Sequence, residues 1–406
     1  CQKSNDYFHH RIISIRILMS KLLASWHKSI SEIPKESWEI LAKDESNPFY
    51  KWQWLEALET SGCIGNKQGW QPLHLVIWRH QFPIAIAPLY LKYHSFGEFI
   101  FDQAFVKLAE ELGVNYYPKL IGMSPLSPIE GYQFLYKTGE DKEELTSIII
   151  EKIDEFAINN NILSCNFLYV DKNWSRLDQI QGFTKWVNQK SLWFSQEMNS
   201  FDDYLRNFNS NQRRNIKRER KSIKDSGIEV SPINGSQVNQ DIMQTMHDFY
   251  EQHCSKWGPW GSKYLSNSFF EKLASSEFKE QIVLFSAHRG NPQNPIAMSL
   301  CFKDKDMLWG RYWGSKEEIK SLHFEVCYYS PINWAIENGI KCFDPGAGGS
   351  HKLRRGFIAQ ENLSLLRWYD PRINNIIKHW LKEVNQMVLE EIESTNNDLP
   401  FLIKPH

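Results

Sequence analysis

The sequence predicts an α/β (α+β) fold built from two consecutive domains, because one order of helices and strands occurs in both halves of the chain. The clearest repeated unit is a pair of strands joined by a polar turn. We expect it at residues 73–78 and 83–93 in the first half, and at 281–289 and 295–303 in the second. With 406 residues, 42% of them hydrophobic, the chain is long and apolar enough for two globular cores.

In the first half, residues that favour the start or the end of a helix mark the bounds of the predicted helices. Asn47 is a suitable N-cap and Pro48 a suitable first residue for a helix that continues through 49–60. Gly113 ends a helix predicted at 103–112. The other elements expected here are a strand and a helix within 26–42, short strands at 117–121 and 164–170, and a helix at 142–159.

The second half repeats this order of elements. Pro331 lies inside a helix predicted at 322–338, and we expect it to kink that helix or to separate its opening turn. The last residues, 396–406, are expected to be loose. The further elements are helices at 201–225, 238–254 and 373–394, and strands at 228–233, 307–313 and 340–343.

Charge, cysteine content and missing motifs exclude several classes of protein. The net charge of −1 argues against a general polyanion binder, so any basic function must be local. The seven cysteines form no CxxC pair and no Cys/His cluster with metal spacing, which predicts a reducing, cytoplasmic location and no metal site. No apolar run approaches the roughly 20 residues of a membrane span, and hydrolase, zincin, NTPase and dinucleotide-binding motifs are missing. Because the chain begins with Cys1, its natural start is expected elsewhere, near Met19.

Residues 343–357, with the sequence FDPGAGGSHKLRRGF, form the strongest candidate binding motif. Gly346 and Gly348 belong to a group of glycines that lets the backbone take positive φ and approach a ligand closely. The basic side chains that follow, together with free backbone N–H groups, favour an anion. The alternative is a solvated turn after an edge strand. Turn chemistry alone does not require the four side chains His351, Lys352, Arg354 and Arg355.

A basic helix is expected at the start of the second half. On a helix, Arg213, Lys217, Arg220 and Lys224 follow each other at intervals of three or four residues and form one stripe. Such a stripe suits the phosphates of RNA, of a nucleotide or of a nucleotide-sugar carrier. A solvated face that serves solubility explains the same pattern, and both interpretations stay open.

Glu325 and Tyr329 are four residues apart on the helix predicted at 322–338, so they are expected to share one face. Near the glycine-rich motif, the carboxylate suits a general base and the phenol a positioning group. The alternative, a buried glutamate satisfied by a tyrosine hydroxyl, explains the pair as well.

The segment 257–261, WGPWG, follows the helix predicted at 238–254. Its large flat side chains suit the wall or the lid of a cleft. A packed corner after the helix is the alternative, and we favour it slightly.

A set of short motifs makes the chain resemble a known family. They are NPF at 47–49, APLYLK at 87–92, HSFGEF at 94–99, YYPKL at 116–120, RRNIKRER at 213–220, HFEVCYY at 323–329 and the glycine-rich motif at 344–357. Together these motifs resemble the FemAB-like proteins of the GNAT (Gcn5-related acyltransferase) superfamily, often labelled peptidoglycan biosynthesis proteins. The similarity extends over residues 45–368.

The resemblance implies a tandem pair of GNAT-like domains, each a mixed, mostly antiparallel sheet flanked by helices. We expect these domains at 26–195 and 196–370, after a poorly defined segment 1–25 and before a C-terminal helix and tail at 371–406. It also implies an acyl- or aminoacyl-transferase that acts on an amine acceptor, on a peptidoglycan precursor or a related carrier. The alternative function is a non-catalytic, GNAT-derived module that binds RNA or a phosphorylated metabolite.

The resemblance further assigns roles to the candidate residues. Glu325 or His351 is expected as the catalytic base, and Tyr329 as its neighbour. No cofactor is firmly implied. The donor substrate is expected to be aminoacyl-tRNA or acyl-CoA, although residues 314–316 replace the usual GNAT pyrophosphate loop and disfavour acetyl-CoA. The residues expected to hold the phosphates or the anionic carrier are Arg213, Arg214, Lys217, Gly346, Gly348, Lys352, Arg354 and Arg355.

Overall fold

The computed structural model describes residues 22–43, 47–96, 98–174, 183–195, 197–258 and 261–402. Most of the N-terminal segment predicted at 1–25 therefore lies outside the described residues. The strands are β1 (Leu22–His27), β2 (Trp70–Pro72), β3 (His74–Arg79), β4 (Phe82–Ala87), β5 (Tyr90–Lys92), β6 (Lys119–Gly122), β7 (Leu135–Tyr136), β8 (Ser164–Phe167), β9 (Phe183–Phe194), β10 (Glu229–Asn234), β11 (Ile282–His288), β12 (Ala297–Lys303), β13 (Met307–Ser315), β14 (Cys342–Asp344) and β15 (Ile358–Trp368).

Several helices begin where a polar side chain accepts a backbone N–H of the first turn, as Asp141, Asn209, Asn239 and Ser266 do. None of the described helices combines the length and the apolar character that crossing a bilayer requires. The helices are α1 (Lys35–Leu41), α2 (Trp52–Thr60), α3 (Gln103–Glu111), α4 (Lys142–Asn159), α5 (Phe201–Arg206), α6 (Ser210–Asp225), α7 (Gln240–Ser255), α8 (Asn267–Ser275), the composite α9 described below, and α10 (Pro371–Asn397).

The described strands form two sheets. The larger has eleven strands in the order β10-β11-β12-β13-β14-β9-β15-β8-β6-β5-β2, and the smaller has the order β1-β3-β4-β7. Among the described strands, β13 with β14 and β6 with β8 pair in parallel, and the other pairs are antiparallel. Strands β9 and β15 pair in the middle of the larger sheet, from Ile358 opposite Leu192 to Arg367 opposite Phe183. The predicted class of mixed, mostly antiparallel sheets with helices is confirmed.

The two halves share buried aromatic contacts. The ring of Phe49, which follows the N-cap Asn47, lies 5.2 Å from the ring of Phe302 and 5.7 Å from that of Trp309. Trp54 of α2 also contacts Phe302, at 5.1 Å. Aromatic contacts of this kind bury a large area and add edge-to-face attraction. The domain boundaries at 26–195 and 196–370 stay a prediction.

Helix α9 changes its hydrogen-bond pattern along its length. It is α-helical over Leu322–Phe324, forms a π-helical turn over Glu325–Tyr329, and is α-helical again over Ser330–Glu337. Pro331 stands at the start of the last part and has no N–H to donate. The prediction that Pro331 separates an opening turn is therefore confirmed, and the π turn accommodates the proline without ending the helix.

Three elements predicted as continuous are divided in the structure. The helix predicted from Asn47 through 49–60 becomes a 3₁₀ turn at Pro48–Tyr50 and the separate helix α2, because Lys51 between them is extended. The strand predicted at 83–93 becomes β4 and β5, which belong to different sheets. The helix predicted at 201–225 is wrong as one element, because residues 207–209 separate α5 from α6. Asn209 causes this third division: its side chain accepts the backbone N–H of Gln212 at 2.9 Å and so starts a new helix.

The tail after α10 is ordered by contacts with this break. Phe401 forms a bridge with Phe208, and their rings lie 5.2 Å apart. The N–H of Asn209 donates to the carbonyl of Pro400 at 2.9 Å. The prediction of a loose tail is therefore wrong for 396–402, since buried aromatic packing holds it, and 403–406 lie outside the described residues.

Replacing Asn209 by alanine is expected to lower the free energy of unfolding by about 1 kcal/mol. The loss follows from the first-turn N–H of Gln212, which then has no side-chain acceptor. Urea unfolding followed by tryptophan fluorescence measures the change. Asn209→Asp keeps the acceptor and serves as the control. Equal stability of the alanine variant and the wild type would show that the cap does not define the start of α6.

Candidate functional site

A cavity of about 490 Å³ lies beside the parallel pair β13 and β14, where the glycine-rich motif leaves the sheet. Residues 310–313 of β13 and 345–349 after β14 line one side of it. Phe99, Leu126 and Pro128 of the first half line the cavity as well. The cavity is therefore built by both halves of the chain, a common location for a ligand site.

The glycine-rich motif forms the loop that the sequence predicted. Gly346, Gly348 and Gly349 have φ values of +89°, +70° and +89°, which side chains disfavour. A Cβ on Gly346 would stand 3.0 Å from the carbonyl oxygen of Gly310, so the loop lies close against β13. The loop leads into a short 3₁₀ helix, Ser350–Arg355, and all of the residues 345–349 line the cavity.

Lys352 places a buried amine at the cavity wall. Its side chain is almost fully buried, and Nζ donates to the carbonyl oxygen of Gly346 at 2.5 Å. Burial lowers the pKa of Lys352 to about 8; the charge of Arg311 lowers it further, while Asp344 acts in the opposite direction. At neutral pH the amine is therefore mostly a cation, beside the loop that shapes the cavity.

His351 lies beside Lys352 and lines the same cavity. Its Nε2 shares a hydrogen bond of 2.8 Å with the hydroxyl of Tyr328. Burial, and then the charges of Arg355 and Lys352, lower the pKa of His351. The neutral imidazole therefore predominates at neutral pH, which is the form a general base requires. The ring of His323 lies 5.7 Å away, and burial first and His351 second lower its pKa to about 3.

A buried ion pair holds the glycine-rich loop to β13. Arg311 Nη2 lies 2.8 Å from Asp344 Oδ2, and Nη1 lies 3.4 Å from Oδ1. The N–H of Gly346 also donates to Oδ1, at 2.8 Å. Burial alone would raise the pKa of the Asp344 carboxyl, but Arg311 and the hydrogen bonds hold it below its ordinary value. Arg311 was not among the predicted site residues; a single cation inside an aromatic strand is the signal that marks it.

Glu325 does not line this cavity. Arg220 binds its carboxylate through Nε and Nη2 at 3.1–3.2 Å, and the hydroxyl of Ser330 donates to it at 2.9 Å. The carboxylate is buried and faces a second cavity of about 770 Å³, which Lys217 and Arg220 also line. The structure therefore does not bring Glu325 together with His351 and Lys352.

Tyr329 and Arg355 meet at another carboxylate, that of Glu219. The Tyr329 hydroxyl donates to Glu219 at 2.5 Å, and Arg355 Nη2 donates to both of its oxygens at 3.0 and 3.1 Å. Arg355 Nη1 also donates to the carbonyl oxygen of His351 at 2.8 Å. The guanidinium lies 3.3 Å from the ring centroid of Phe324. Arg355 thus links the His351 segment to α6 and does not face the cavity.

The other predicted cations lie outside the cavity. Arg213 Nη2 donates to the carbonyl oxygen of Phe208 at 3.0 Å. Arg214, Lys217 and Arg354 are exposed. The predicted basic stripe is therefore divided between inward side chains, Arg213 and Arg220, and solvent-facing ones.

Most of the aromatic wall of the cavity consists of residues that were not predicted as site residues. Of the segment 257–261, Trp257 lines the cavity and Gly261 does too, while Pro259 and Trp260 lie outside the described residues. No group of His, Cys, Asp or Glu in the described part of the chain has the arrangement of a metal site. The cavity-lining residues that the prediction did not name include Tyr250, His253, Arg311, Tyr312, Trp313, His323 and Tyr328.

The sequence model of the FemAB-like family, described as peptidoglycan biosynthesis/recognition, matches residues 29–403. The chain belongs to the FemAB-like family. Its structure is similar to the crystal structure of FemX, with a TM-score of 0.51, 11% identity, and coverage of 88% of this chain and 100% of FemX. No functionally curated protein matches the sequence.

Two further solved structures show weaker similarity to this FemAB-like chain. L-PGS from Bacillus licheniformis has a TM-score of 0.46 and 9% identity, and covers 80% of this chain and 95% of its own. The C-terminal domain of a putative lysylphosphatidylglycerol synthetase from Agrobacterium fabrum has a TM-score of 0.48 and 9% identity, covering 88% of this chain and 97% of its own. The family match confirms the predicted resemblance, the FemX likeness confirms the fold, and the family supports the predicted class of acyl- or aminoacyl-transferase.

Proposed function

We propose that this FemAB-like protein transfers an acyl or aminoacyl group to an amine in the cavity that holds His351 and Lys352. One observation carries the proposal: a buried lysine and a neutral imidazole stand side by side where a glycine-rich loop meets the parallel strands β13 and β14. Acyl transfer needs a group that stabilises negative charge and a group that takes a proton. These two side chains supply both.

In this reaction the amine attacks the acyl carbon, a C–N bond forms, and the bond from that carbon to the carrier breaks. The developing oxyanion is stabilised by the Lys352 cation, which acts in a largely buried site where its charge is poorly screened. His351 takes the proton that the amine loses and returns it to the departing oxygen or sulfur of the carrier. Tyr328, bound to Nε2, orients the imidazole.

An aminoacyl ester is the favoured donor, and an amine of a peptidoglycan precursor is the favoured acceptor. The family description supports the acceptor. The structure of β13 supports the donor: Gly314 pairs with Met298, and a Cβ there would stand 2.3 Å from the carbonyl oxygen of Phe249 in α7. Gly314 is therefore packed inside the sheet and does not belong to a glycine loop that could bind the pyrophosphate of acyl-CoA. The exposed Arg214 and Lys217 suit the phosphates of an RNA carrier.

The test is a transfer assay with a radiolabelled mixture of aminoacyl-tRNAs, or with acyl-CoA, and a peptidoglycan-precursor pentapeptide that carries a free amine. We expect the pentapeptide to gain the mass of one aminoacyl group, with His351→Gln much slower than the wild type at equal thermal stability. Absence of product with every donor, for a folded protein, would overturn the proposal.

The exposed cations of α6 favour a second candidate function, a non-catalytic module that binds RNA or a phosphorylated metabolite. Its signature is polyanion binding that weakens steeply with salt in the absence of any transfer. The cytoplasmic location predicted from the cysteine pattern stays a prediction.

A further inference from the structure

The ionisable acid–base side chains of Arg, Lys and His that line the cavity are all basic. Among the described residues, its lining contains the cations Arg311 and Lys352 and the imidazoles of His253, His323 and His351, but no aspartate or glutamate. A cationic group that enters the cavity therefore finds no acid side chain among the described residues that line it.

Buried carboxylates next to lining residues are already bound. Glu98, beside Phe99, pairs with Lys92 at 2.8 Å. Asp344 is paired with Arg311 through both oxygens and accepts the N–H of Gly346. Glu325, in the π turn, is bound by Arg220 and faces the second cavity. Freeing Asp344 or Glu325 for a ligand would leave a guanidinium without its partner, which is costly in a buried position.

The cavity also disfavours cations that belong to the protein itself. Burial and neighbouring charges lower the pKa of Lys352 to about 8 and that of His323 to about 3. A ligand ammonium placed beside them meets the same desolvation and the same repulsion. The environment therefore disfavours a permanently charged side chain on the bound acyl group, whereas the α-amino group of an aminoacyl ester can bind in its neutral form.

The rest of the wall is aromatic and apolar. Rings could attract a cation through their faces, but the ring of Trp313 contacts that of His323 at 5.1 Å and that of His253 at 6.5 Å. Tyr250 and Tyr312 pack edge to face, 5.3 Å apart. These rings pack edge to face with one another and present mainly apolar surface to the cavity.

We propose that the cavity accepts acyl groups with an uncharged, apolar or aromatic side chain and excludes those with a cationic side chain. The inference rests on the proposed function, because it takes the cavity as the acyl site. The basic lining of the cavity determines which class of acyl side chain can bind. The carbonyl oxygen of the bound acyl group lies toward Lys352, and its side chain lies among the aromatic rings.

The experiment is a binding titration at neutral pH with three probes: the methyl esters of Nα-acetyl-norleucine, Nα-acetyl-phenylalanine and Nα-acetyl-lysine. The lysine side chain is the norleucine side chain with an ammonium group added to its terminal carbon, and acetylation removes the α-amino charge from all three. Tryptophan fluorescence and calorimetry report binding without any turnover. We expect the lysine probe to bind at least about tenfold more weakly than the norleucine probe.

Ser262 allows a matched pair of variants. It lines the cavity with a positive φ of 51°, a conformation that aspartate and asparagine tolerate. Ser262→Asp adds the missing carboxylate and is expected to strengthen binding of the lysine probe, whereas Ser262→Asn has the same shape without the charge and is expected to leave the preference unchanged. Equal or tighter binding of the lysine probe to the wild type, or binding of none of the probes, overturns the inference. Absence of transfer with an intact binding preference contradicts the proposed function alone.

Discussion

Replacing Lys352 by methionine is expected to lower kcat/KM for acyl transfer by about 100- to 1000-fold, the loss typical of removing one oxyanion-stabilising group. Methionine fills a similar volume without the charge, so the glycine-rich loop keeps its packing while the cavity loses its cation. Steady-state kinetics with the aminoacyl-tRNA donor measure the change. Most of the loss should fall on kcat, because the charge is needed chiefly when the oxyanion forms.

The pH profile provides the control for this interpretation. With a pKa of about 8, Lys352 is a cation well below pH 8 and neutral well above it, so its contribution should disappear as the pH rises through that value. Lys352→Arg keeps the charge at high pH and should remove this alkaline loss, even if its absolute rate is lower. A methionine variant with an unchanged kcat would show that the cation takes no part in the reaction.

Helix α6 connects the two kinds of surface that the proposed function requires. Its outer side exposes Arg214 and Lys217, where the phosphates of a carrier can bind. On its inner side, Glu219 holds Arg355, whose Nη1 donates to the carbonyl oxygen of His351. The segment that carries the proposed base is thus fixed to the helix that carries the proposed phosphate contacts. The structure supports the positioning of the proposed base and of the carrier phosphates by one helix, α6.

Much of the fold follows from local signals in the sequence. Helix α4 spans 142–159 as predicted, because Asp141 caps an amphipathic run. Strands β9 and β15 were not predicted, since their stability comes from pairing between residues as distant as Phe183 and Arg367. The break before α6 was missed although its N-cap, Asn209, is a local signal; only the contact that packs Phe208 beside it comes from Phe401, near the opposite end of the chain. Contacts between distant segments leave little local pattern to detect.

The candidate site was predictable where it is continuous in sequence. Gly346, Gly348, His351 and Lys352 belong to one motif, and all four line the cavity. Arg311 comes from a different strand, and its pairing with the motif depends on the parallel register of β13 and β14.

The pairing of Glu325 with Tyr329 was predicted on the assumption of α-helical geometry, in which residues four apart share a face. The π turn adds a residue to each turn and rotates them relative to each other. As a result they have different partners: Glu325 binds Arg220, and Tyr329 binds Glu219. The catalytic roles predicted for Glu325 and Tyr329 stay predictions.

Replacing Asp344 by asparagine is expected to lower the free energy of unfolding by about 3–5 kcal/mol. The Arg311 side chain is only 4% exposed, so the variant leaves a guanidinium buried without its carboxylate. Asparagine keeps the shape of the side chain and can still accept the N–H of Gly346, which isolates the effect of the charge. Urea unfolding followed by tryptophan fluorescence measures the midpoint and the slope.

Two further variants separate the cost of an unpaired charge from the loss of a contact. Combining Arg311→Met with Asp344→Leu removes both charges and should recover most of the stability, because an apolar pair of similar size carries no desolvation cost. Glu317→Gln breaks the exposed pair with Arg289 and should cost at most about 1 kcal/mol. If Asp344→Asn matched that exposed control, the ion pair would contribute nothing beyond a surface contact. The glycine-rich loop would then be held to β13 by its close backbone packing alone. Lys352 would keep its position without the ion pair of Arg311 and Asp344.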